Sequence, residues 1–228
     1  MTFNINRIGV IIPAYQAEKE IAAVITSLYE IGFTKENIIV VDDGSTDRTY
    51  DVAKGLGATV LQHKRNLGKG AALNTGFEYA ITVGFDGVIT IDADKQHLSY
   101  EIYNFLKSFK TDGPDLLLGN RLVNTRGMPF IRLITNRITS LVVSLLIGQQ
   151  IPDSQCGFRL LRTSMLKKVK PKTTHYEAES ELIICAGRLG FSIESVPITT
   201  IYTGGKSYIN PIIDTIRFTI MAIKQLWR

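Results

Sequence analysis

Two aspartates lie two residues apart at the end of an apolar run, in the segment Ile91-Asp92-Ala93-Asp94-Lys95-Gln96-His97. Two carboxylates with this spacing can turn towards one ligand where a strand ends and its alternation breaks. Held close together they repel each other and lose hydration, unless a cation neutralises them. Hard divalent ions such as Mg²⁺ or Mn²⁺ take oxygen ligands and often share substrate phosphates. The pair Asp92 and Asp94 therefore predicts a divalent metal site.

Two further polar turns follow apolar runs: Pro13-Ala14-Tyr15 and Asp42-Asp43-Gly44-Ser45-Thr46-Asp47. Ligands of open α/β sheets bind outside the carboxyl ends of the strands, so we expect all three turns to meet at one site. A metal there would bind the diphosphate of a nucleotide-sugar and stabilise its departure as a leaving group. Taken alone, the second turn is also typical of a tight turn and helix cap. Tyr15 could stack on a base or be structural.

The segment Gly68-Lys69-Gly70 precedes a helical pattern and offers a second kind of anion site. Backbone N–H groups, a helix N-terminus and the Lys69 cation all suit the phosphates of a bound nucleotide, with Gly70 allowing close approach. Alternatively, the glycines only make a turn and Lys69 is solvated. The sequence gives these two interpretations equal weight.

Four arginines lie before and within an apolar, helix-like segment: Arg121, Arg126, Arg132 and Arg137. Arg132 and Asn136 are four residues apart, so they share one face if the segment is helical. Guanidinium groups beside an apolar helix suit an anionic head group attached to an apolar tail. The alternative is a set of solvated surface arginines.

Three glutamates alternate at the start of another helical pattern: Glu177, Glu179 and Glu181. The helix dipole alone favours acidic residues in a first turn, so a catalytic base is only one interpretation. The three histidines, His63, His97 and His175, are scattered. His97 is near enough to the aspartate pair to approach a metal, but a supporting or structural role is favoured.

Alternating strand and helix patterns position these residues in the first half of the chain. Apolar runs predict strands at residues 8–12, 38–41, 59–61, 88–91 and 116–118. Helical spacing predicts helices at residues 18–30, 48–56, after Gly68-Lys69-Gly70, and at 99–110, where Ser99 can cap the helix. This alternation predicts a mainly parallel sheet covered by helices on both faces.

The second half is less regular, with helices predicted at residues 130–147 and 178–189 and strands at 158–161 and 191–197. The tail, residues 210–227, predicts an amphipathic helix with Pro211 in its first position. Its apolar face would comprise Ile212, Ile213, Ile216, Ile220, Ile223 and Trp227. This face could lie on a membrane surface or pack on the sheet as an ordinary core helix.

Composition and spacing exclude several classes of protein. Of the 228 residues, 45% are hydrophobic and 21% are charged, which is typical of a folded domain. The net charge is +5. No basic run is interleaved with aromatic residues, so nucleic acid is disfavoured as a partner. The first turn lacks the GxGxxG pattern of dinucleotide sites. Cys156 and Cys185 lack CxxC spacing, so we expect no zinc site, no disulfide and a reducing cytoplasm.

Membrane and targeting segments are not expected either. The start of the chain has no long apolar stretch of the kind that forms a signal peptide. The apolar stretch at residues 141–147 is too short to span a bilayer, which needs about 20 residues. We therefore expect a cytoplasmic protein, with peripheral contact at the cytoplasmic face of the membrane as an option.

In order and spacing, these motifs resemble the family 2 glycosyltransferases with the GT-A fold, specifically the dolichol-phosphate mannosyltransferase-like branch. The resemblance covers nearly the whole chain and rests on these segments: Val10-Ile11-Ile12-Pro13-Ala14-Tyr15, Val41-Asp42-Asp43-Gly44-Ser45-Thr46-Asp47, Asn66-Leu67-Gly68-Lys69-Gly70, Asp92-Ala93-Asp94-Lys95-Gln96-His97, Gly119-Asn120-Arg121, Asp153-Ser154-Gln155-Cys156-Gly157-Phe158-Arg159 and Val196-Pro197-Ile198. It implies a single Rossmann-like α/β domain with a mainly parallel mixed sheet flanked by helices. About residues 1–120 would bind the nucleotide-sugar, and about residues 121–228 would bind the acceptor.

The resemblance also implies roles for the matching residues. The nucleoside would be held by Pro13, Ala14, Tyr15 and Asp42 or Asp43. The divalent metal and the donor diphosphate would be held by Asp92, Asp94 and Gln96. The phosphate of the acceptor would be bound by Arg121 and Arg132. Three positions depart from the pattern of the family: Asn136 replaces a common serine, and Gln16 and Ala17 replace Asn-Glu after Tyr15. The nucleotide contact of that glutamate is then absent or supplied by Glu18.

These roles predict an inverting, metal-dependent hexosyltransferase that uses UDP-glucose or GDP-mannose and a polyprenyl or dolichyl phosphate. A lipid phosphate is anionic at neutral pH and needs positioning more than deprotonation, whereas a hydroxyl acceptor needs a general base. Transfer to a saccharide hydroxyl in cell-envelope glycan synthesis is the alternative, with Glu179 or Glu181 as base. A non-catalytic nucleotide-sugar binding protein is a third hypothesis, which the intact aspartate pair disfavours.

Overall fold

Short runs rich in isoleucine, valine and leucine form the strands of one sheet, and the segments between them form helices. The structure, a computed structural model, describes residues 4–201 and 211–227. Within these ranges the strands are β1 Ile8–Ala14, β2 Ile38–Asp42, β3 Thr59–Gln62, β4 Gly87–Thr90, β5 Leu116–Asn120, β6 Arg159–Arg162 and β7 Ile193–Pro197. The α-helices are α1 Ile21–Glu30, α2 Thr49–Gly55, α3 Lys69–Val83, α4 Ile102–Ser108, α5 Phe130–Ile147, α6 Thr163–Leu166, α7 Glu177–Arg188 and α8 Pro211–Leu226. Short 3-10 helices cover Ile5–Arg7, Ser99–Glu101 and Arg121–Val123.

The seven strands form a single sheet in the order β3-β2-β1-β4-β6-β5-β7. Strands β1 to β4 pair in parallel, as do β5 and β7, whereas β6 runs antiparallel to both β4 and β5. The predicted mainly parallel, mixed sheet is therefore confirmed. The helical crossovers between parallel strands place helices on the faces of the sheet, as the alternating pattern requires.

Side-chain alternation along the central strands builds a core on each face of the sheet. In β1, Val10 and Ile12 belong to the core shared with α1 and α4, while Ile11 belongs to the core shared with α3 and α7. Residues of β2 divide in the same way, Val40 to the first core and Val41 to the second. Because both faces are covered, these strands read as continuous apolar runs rather than as an alternating pattern.

Helix α5 reverses the usual polarity of a surface helix, and α8 also exposes an apolar stripe. The buried residues of α5 are mostly polar: Asn136, Thr139, Ser140 and Val143. Its large apolar residues are exposed: Phe130, Ile131, Ile134, Ile138, Leu141 and Leu145. On α8 the exposed residues are Ile213, Ile216, Ile220, Ile223 and Leu226, with Trp227 following the helix. The described residues of the predicted apolar stripe are thus exposed, while the side chain of Ile212 lies outside the described part of the structure, and α8 contacts α5 and α7 through its other side.

By length and composition alone, one helix among the described residues could cross a membrane. This helix is α5, whose 18 residues have a mean hydropathy of 1.6. The sequence interpretation weighed only residues 141–147 and so underestimated the apolar length. Length and composition are weak evidence by themselves, because core helices of globular proteins share them. In this fold α5 packs against α7 with its polar residues inward.

Most element predictions agree with the structure within a few residues, and α5 agrees at both ends. The proposed cap at Ser99 is wrong: its hydroxyl pairs with that of Ser27 at 2.5 Å, and Leu98 is the N-cap residue of a 3-10 turn. The short helix α6 is not apparent from the sequence, since four residues carry no measurable periodicity. Helix α8 begins at Pro211 as predicted, while Asn210 lies outside the described residues.

Candidate functional site

Three strand ends meet at one edge of the sheet and bring the predicted turns together. Ala14 at the end of β1 is opposite Asp42 at the end of β2, and the Asp43 N–H donates to the Ala14 carbonyl at 2.8 Å. On the other side of β1, Ile11 is opposite Thr90 at the end of β4. The segment that follows β4 carries the aspartate pair. Pro13, Ala14, Tyr15, the Asp42-Asp43 turn and the aspartate pair therefore lie at adjacent strand ends.

The turn after β1 is fixed by the turn after β2. Gln16 has a φ of 52°, and its N–H donates to Ser45 Oγ at 2.9 Å while its side-chain amide donates to Thr46 Oγ1 at 2.8 Å. Glu18 accepts from the Arg48 N–H at 3.1 Å. The carboxylate of Glu18 thus caps the start of α2. Glu18, which could replace the nucleotide-contacting glutamate of the family, therefore already has a hydrogen-bond donor within the fold.

Asp42 and Asp43 both use their carboxylates to hold backbone and side chains of the site. Asp42 is fully buried and accepts from the Ser45 N–H at 3.0 Å and from Gln62 Nε2 at 2.9 Å. Asp43 pairs with His63 Nδ1 at 2.7 Å and accepts from the N–H groups of Leu67 and Gly68 at 2.9 and 2.8 Å. The turn interpretation therefore accounts for these bonds, and a contact with the nucleoside stays a prediction.

Two glycines let the start of α3 approach the segment before α7. Gly68 has a φ of 101°, and a Cβ there would lie 2.4 Å from the Thr174 carbonyl oxygen. A Cβ on Gly70 would lie 2.4 Å from that of Ala178. No side chain fits at either position without moving backbone or a neighbouring residue. This close packing delivers Lys69, the first residue of α3, into the site.

Lys69 meets the first aspartate of the pair directly. Its Nζ lies 2.6 Å from Asp92 Oδ1 and 3.2 Å from Glu179 Oε2. On the other side of Asp92, His97 Nε2 lies 3.8 Å from Oδ2. Gly157 closes the remaining side, since a Cβ there would lie 2.6 Å from Asp92 Oδ2. Asp92 is thus surrounded by Lys69, His97 and Gly157.

The charges of this group set the ionisation of its members. Burial would raise the pKa of Asp92, but the Lys69 ammonium and the nearby His97 side chain outweigh it and hold the pKa well below its usual range. Burial would lower the pKa of Lys69, but the charges of Asp92 and Glu179 raise it well above its usual value. Desolvation and the charge of Asp92 together raise the pKa of Asp94. Asp92 and Lys69 are therefore charged at neutral pH.

The donor set fits a hard divalent ion that shares its ligands with a bound diphosphate. Asp94 is exposed, in a turn where Lys95 has a φ of 60° and the Gln96 N–H donates to Asp94 Oδ1 at 3.0 Å. Among the described residues, no group of three His, Cys, Asp or Glu side chains could hold a metal. A cage made only of these side chains is thus not formed there, whereas Mg²⁺ commonly takes one or two carboxylates plus phosphate oxygens and water.

The first arginine of the predicted cluster is held rigidly. Arg121 Nε and Nη2 donate to Asp153 at 2.8 and 2.9 Å, and the Arg121 backbone N–H donates to the same carboxylate at 3.1 Å. The side-chain amide of Asn136 is oriented so that its oxygen faces a donor and its nitrogen faces an acceptor. The oxygen then accepts from Arg121 Nη2 and the nitrogen donates to the Arg132 carbonyl, each at 3.3 Å. The bidentate pair with Asp153 fixes the plane of the guanidinium group.

The remaining arginines differ in their exposure. Arg132 is half-buried on the same side of α5 as Asn136, as their spacing predicts. Arg126 and Arg137 are exposed to solvent, as in the alternative interpretation of surface arginines. The structure therefore brings together Arg121, Arg132 and Asn136 and leaves the other two arginines outside this cluster.

The segment from Asp153 to Arg159 connects the two clusters, and the sequence assigned no role to its residues. Asp153 holds Arg121, and Gly157 contacts Asp92. Arg159 is buried and donates to the carbonyls of Cys156, Ser154 and Glu179 at 2.7, 3.0 and 2.8 Å. The available signal was a charged residue, Arg159, between the apolar residues Phe158 and Leu160, since a buried charge needs partners.

The three glutamates of α7 have different environments. Glu179 pairs with Lys69, whereas Glu181 Oε2 accepts from the N–H groups of Lys172 and Thr173 and from Thr173 Oγ1, each at 2.8 Å. Glu177 is buried at the first position of the helix. His175 bonds Thr174, and His63 bridges Asp43 and Thr75, so both are structural.

Comparison with known proteins identifies the family. The model of "Glycosyl transferase family 2" matches residues 9–170. The UDP-N-acetylglucosamine–dolichyl-phosphate N-acetylglucosaminyltransferase of Methanococcus voltae is 34% identical over 218 residues, which cover 86% of this chain and 86% of the relative. The polyprenol monophosphomannose synthase of Mycolicibacterium smegmatis is 29% identical, with 83% of this chain and 76% of the relative covered.

A solved structure confirms the predicted GT-A fold. The glucosyl-3-phosphoglycerate synthase of Mycobacterium tuberculosis, in complex with Mn²⁺, uridine diphosphate and phosphoglyceric acid, matches with a TM-score of 0.72. The two proteins are 24% identical, and the match covers 96% of this chain and 76% of the other. The chain is a glycosyltransferase that belongs to glycosyl transferase family 2, in the branch of its polyprenyl-phosphate relatives.

Proposed function

We propose that this protein is an inverting, metal-dependent hexosyltransferase that transfers a hexose from a nucleotide-sugar to a polyprenyl or dolichyl phosphate. UDP-glucose and GDP-mannose are the donors that we propose first. One observation carries the proposal: the cluster of Arg121, Arg132 and Asn136 lies against α5, whose other side is an exposed apolar stripe. An anionic head group and an apolar tail would find matching surfaces on one helix. The names of the two relatives support this acceptor class.

The chemistry needs orientation of two anions more than proton transfer. An oxygen of the lipid phosphate attacks the anomeric carbon, the carbon–oxygen bond to the diphosphate breaks, and the nucleoside diphosphate leaves with the electron pair. Because the phosphate is anionic at neutral pH, this attack requires no general base. Arg121, fixed by Asp153, and Arg132 would hold the phosphate in place, which lowers the barrier by positioning.

The donor side is assigned to the adjacent strand ends. Asp92, Asp94 and Gln96 would hold a divalent ion, Mg²⁺ or Mn²⁺, which when bound neutralises charge on the departing diphosphate. The nucleoside would lie against the turns after β1 and β2, formed by Pro13, Ala14, Tyr15, Asp42 and Asp43. Lys69 and Gly70 at the start of α3 would lie towards the phosphates.

Transfer to a saccharide hydroxyl is less well supported because its candidate bases are occupied. Glu181 Oε2 already accepts three hydrogen bonds, and Glu179 is paired with Lys69. A general base must be within reach of the proton that it removes and free to accept it. The buried contacts of these two glutamates favour structural roles instead.

We also propose peripheral contact with the cytoplasmic face of a membrane, which the same surfaces support. Helices α5 and α8 contact each other and α7, and both expose apolar stripes. The only charged residues of α5 are two arginines, which would complement anionic head groups. Ile131, Leu145 and Trp227 are 77%, 74% and 87% exposed. Such a surface suits the interface of a bilayer in which a polyprenyl acceptor is dissolved.

A transfer assay in detergent tests the proposed reaction. The purified protein is incubated with Mg²⁺ or Mn²⁺, a short polyprenyl phosphate and labelled UDP-glucose, GDP-mannose or UDP-N-acetylglucosamine, the last because of the Methanococcus voltae relative. We expect label from one donor to move into the organic phase, and chelation of the metal to abolish the transfer.

Matched variants connect the assay to the arginine cluster. Arg132→Ala should lower transfer by about tenfold to a hundredfold, since it removes a charged contact with the acceptor. Arg137→Ala, an exposed arginine on the same helix, should leave transfer within about twofold. Transfer to free saccharides with none to lipid phosphate would establish the alternative acceptor. Binding of a nucleotide-sugar without transfer to either acceptor would establish the non-catalytic hypothesis.

A further inference from the structure

One ammonium group bridges two carboxylates at the centre of the candidate site. Lys69 Nζ lies 2.6 Å from Asp92 Oδ1 and 3.2 Å from Glu179 Oε2. The three side chains are only 16%, 25% and 7% exposed for Lys69, Asp92 and Glu179. Water therefore does little to neutralise the two carboxylates. Arg159 Nη2 lies 3.9 Å from Glu179 Oε1, whereas the Lys69 ammonium contacts both Asp92 and Glu179.

The fold takes each member of this group from a different element. Lys69 begins α3, Asp92 follows β4, and Glu179 lies in the first turn of α7. Gly68 and Gly70 allow α3 to approach α7 closely enough for the lysine to reach both acids. The packing of the helices therefore determines the position of the ammonium, and the flexibility of the lysine side chain does not.

The contacts of the Lys69 ammonium differ from those of a lysine whose ammonium is available to bind a phosphate. Two directions around the Lys69 nitrogen are already occupied by carboxylate oxygens, at 2.6 and 3.2 Å. The Asp92 oxygen that it contacts belongs to the carboxylate assigned to the divalent ion. Two cations cannot both bind the same carboxylate oxygen closely, because their charges repel each other at short range. The Lys69 ammonium and a divalent ion would therefore compete for it.

We propose that Lys69 is an internal counter-cation of the metal-free site, and that a divalent ion competes with its ammonium for Asp92. The inference rests on the proposed metal-dependent function. Without metal, Lys69 holds Asp92 and Glu179 together and prevents their repulsion. When an ion takes Asp92, Glu179 retains the displaced lysine beside the site. Lys69 is in this respect a positioning residue, whose removal affects the metal as well as the fold.

Binding of Mn²⁺ alone, followed by electron paramagnetic resonance without nucleotide or acceptor, tests this competition. Lys69→Met removes the competing charge, so we expect it to bind Mn²⁺ about tenfold more tightly than the unchanged protein. Without metal, its thermal midpoint should be lower, because two buried carboxylates lose their partner. Saturating Mn²⁺ should restore more of the midpoint in the variant than it adds to the unchanged protein.

Three further variants separate competition from a general effect of mutation. Lys69→Arg keeps the charge and should bind Mn²⁺ much as the unchanged protein does. Glu179→Gln leaves the lysine to Asp92 alone and should weaken Mn²⁺ binding. Lys170→Met removes a lysine from an exposed pair with Glu78, 2.7 Å apart, and should change neither the affinity nor the midpoint appreciably.

The outcomes distinguish this inference from the proposed function. A folded Lys69→Met protein with unchanged or weaker Mn²⁺ affinity overturns the counter-cation role, while transfer by the unchanged protein would still support the proposed function. Binding of no Mn²⁺ by either protein without nucleotide would overturn the counter-cation role, whereas the metal dependence is tested separately by chelation in the transfer assay. If Lys69→Met fails to fold, a Glu179→Gln protein that binds Mn²⁺ as tightly as the unchanged protein overturns the inference.

Discussion

Glu179 and Glu181 lie two residues apart on α7 and illustrate how partners decide the role of a carboxylate. The sequence made both candidates for a general base. In the structure, Glu181 Oε2 is the common acceptor for two N–H groups and one hydroxyl of the Lys172-Thr173 segment. A carboxylate with three donors at one oxygen anchors a loop, and protonating it would weaken those bonds.

Two substitutions of Glu181 separate anchoring from catalysis. Glu181→Gln retains an oxygen acceptor and should keep most of the transfer activity, whereas loss of a general base costs about a hundredfold or more. Glu181→Ala leaves buried donors without an acceptor and should reduce the free energy of unfolding by about 1–3 kcal/mol. Urea denaturation and the transfer assay measure the two effects. A folded Glu181→Gln protein that has lost a hundredfold in activity would contradict the anchoring role.

At the scale of elements, α5 and α8 both expose apolar stripes. On α5 the residues that face the protein are mostly polar, whereas α8 packs through Met221, Ala222 and Gln225. Such an arrangement leaves a large apolar surface in contact with water unless another phase covers it. The two helices also contact each other. We call their two exposed apolar stripes, together with Trp227, the platform, which lies beside the arginine cluster.

Cosedimentation with lipid vesicles tests this platform. We expect binding to vesicles that contain phosphatidylglycerol, with weaker binding to pure phosphatidylcholine and a decrease at high salt. Ile138→Ser on α5 and Trp227→Ser after α8 should each weaken binding by about tenfold, since burial of one large side chain is worth about 1.5–3 kcal/mol.

The control is an exposed apolar residue elsewhere on the surface. Val83 at the end of α3 is 50% exposed, close to the 57% of Ile138, so Val83→Ser makes a similar chemical change outside the platform. It should leave vesicle binding unchanged. Equal loss in all three variants would argue against a specific platform, and a stable dimer with no vesicle binding would assign the surface to a second copy of the chain.

At the scale of the whole molecule, β6, from the second half of the chain, lies between β4 and β5, which both belong to the first half. Within the described residues, β5 pairs only with β6 and β7, so it is attached to β4 only through β6. The segment that leads into β6 carries Asp153 and Gly157, which contact the arginine cluster and the aspartate pair. We therefore propose that the halves at about residues 1–120 and 121–228 fold as one domain.

Unfolding experiments test this unity. The complete chain should unfold in a single transition that coincides for far-ultraviolet circular dichroism and for tyrosine absorbance. A fragment of residues 1–120 would contain β5 without either of its partners and should show no cooperative transition. A fragment that unfolds cooperatively and binds a nucleotide would establish two independent domains instead.

Local patterns accounted for a large part of this protein. Continuous apolar runs predicted the strands, because strands covered on both faces need no polar alternation. The spacing of Arg132 and Asn136 predicted a shared helical face, and the place of Asp92 and Asp94 after a strand predicted their meeting with the turns after β1 and β2. These features depend on residues near each other in sequence or on the general topology of parallel sheets.

Only the tertiary structure decided which partners the charged residues take. Lys69 and Asp92 are 23 positions apart in the numbering, and Glu179 is farther still, so no local pattern could place one ammonium between them. The same holds for Arg121 with Asp153 and for Gly157 beside Asp92. The outward direction of the apolar stripes on α5 and α8 was equally undetermined, because periodicity defines a face but not what the face contacts. The metal site at the aspartate pair thus stays a prediction from the sequence, while the contact of Lys69 with Asp92 could be found only in the folded chain.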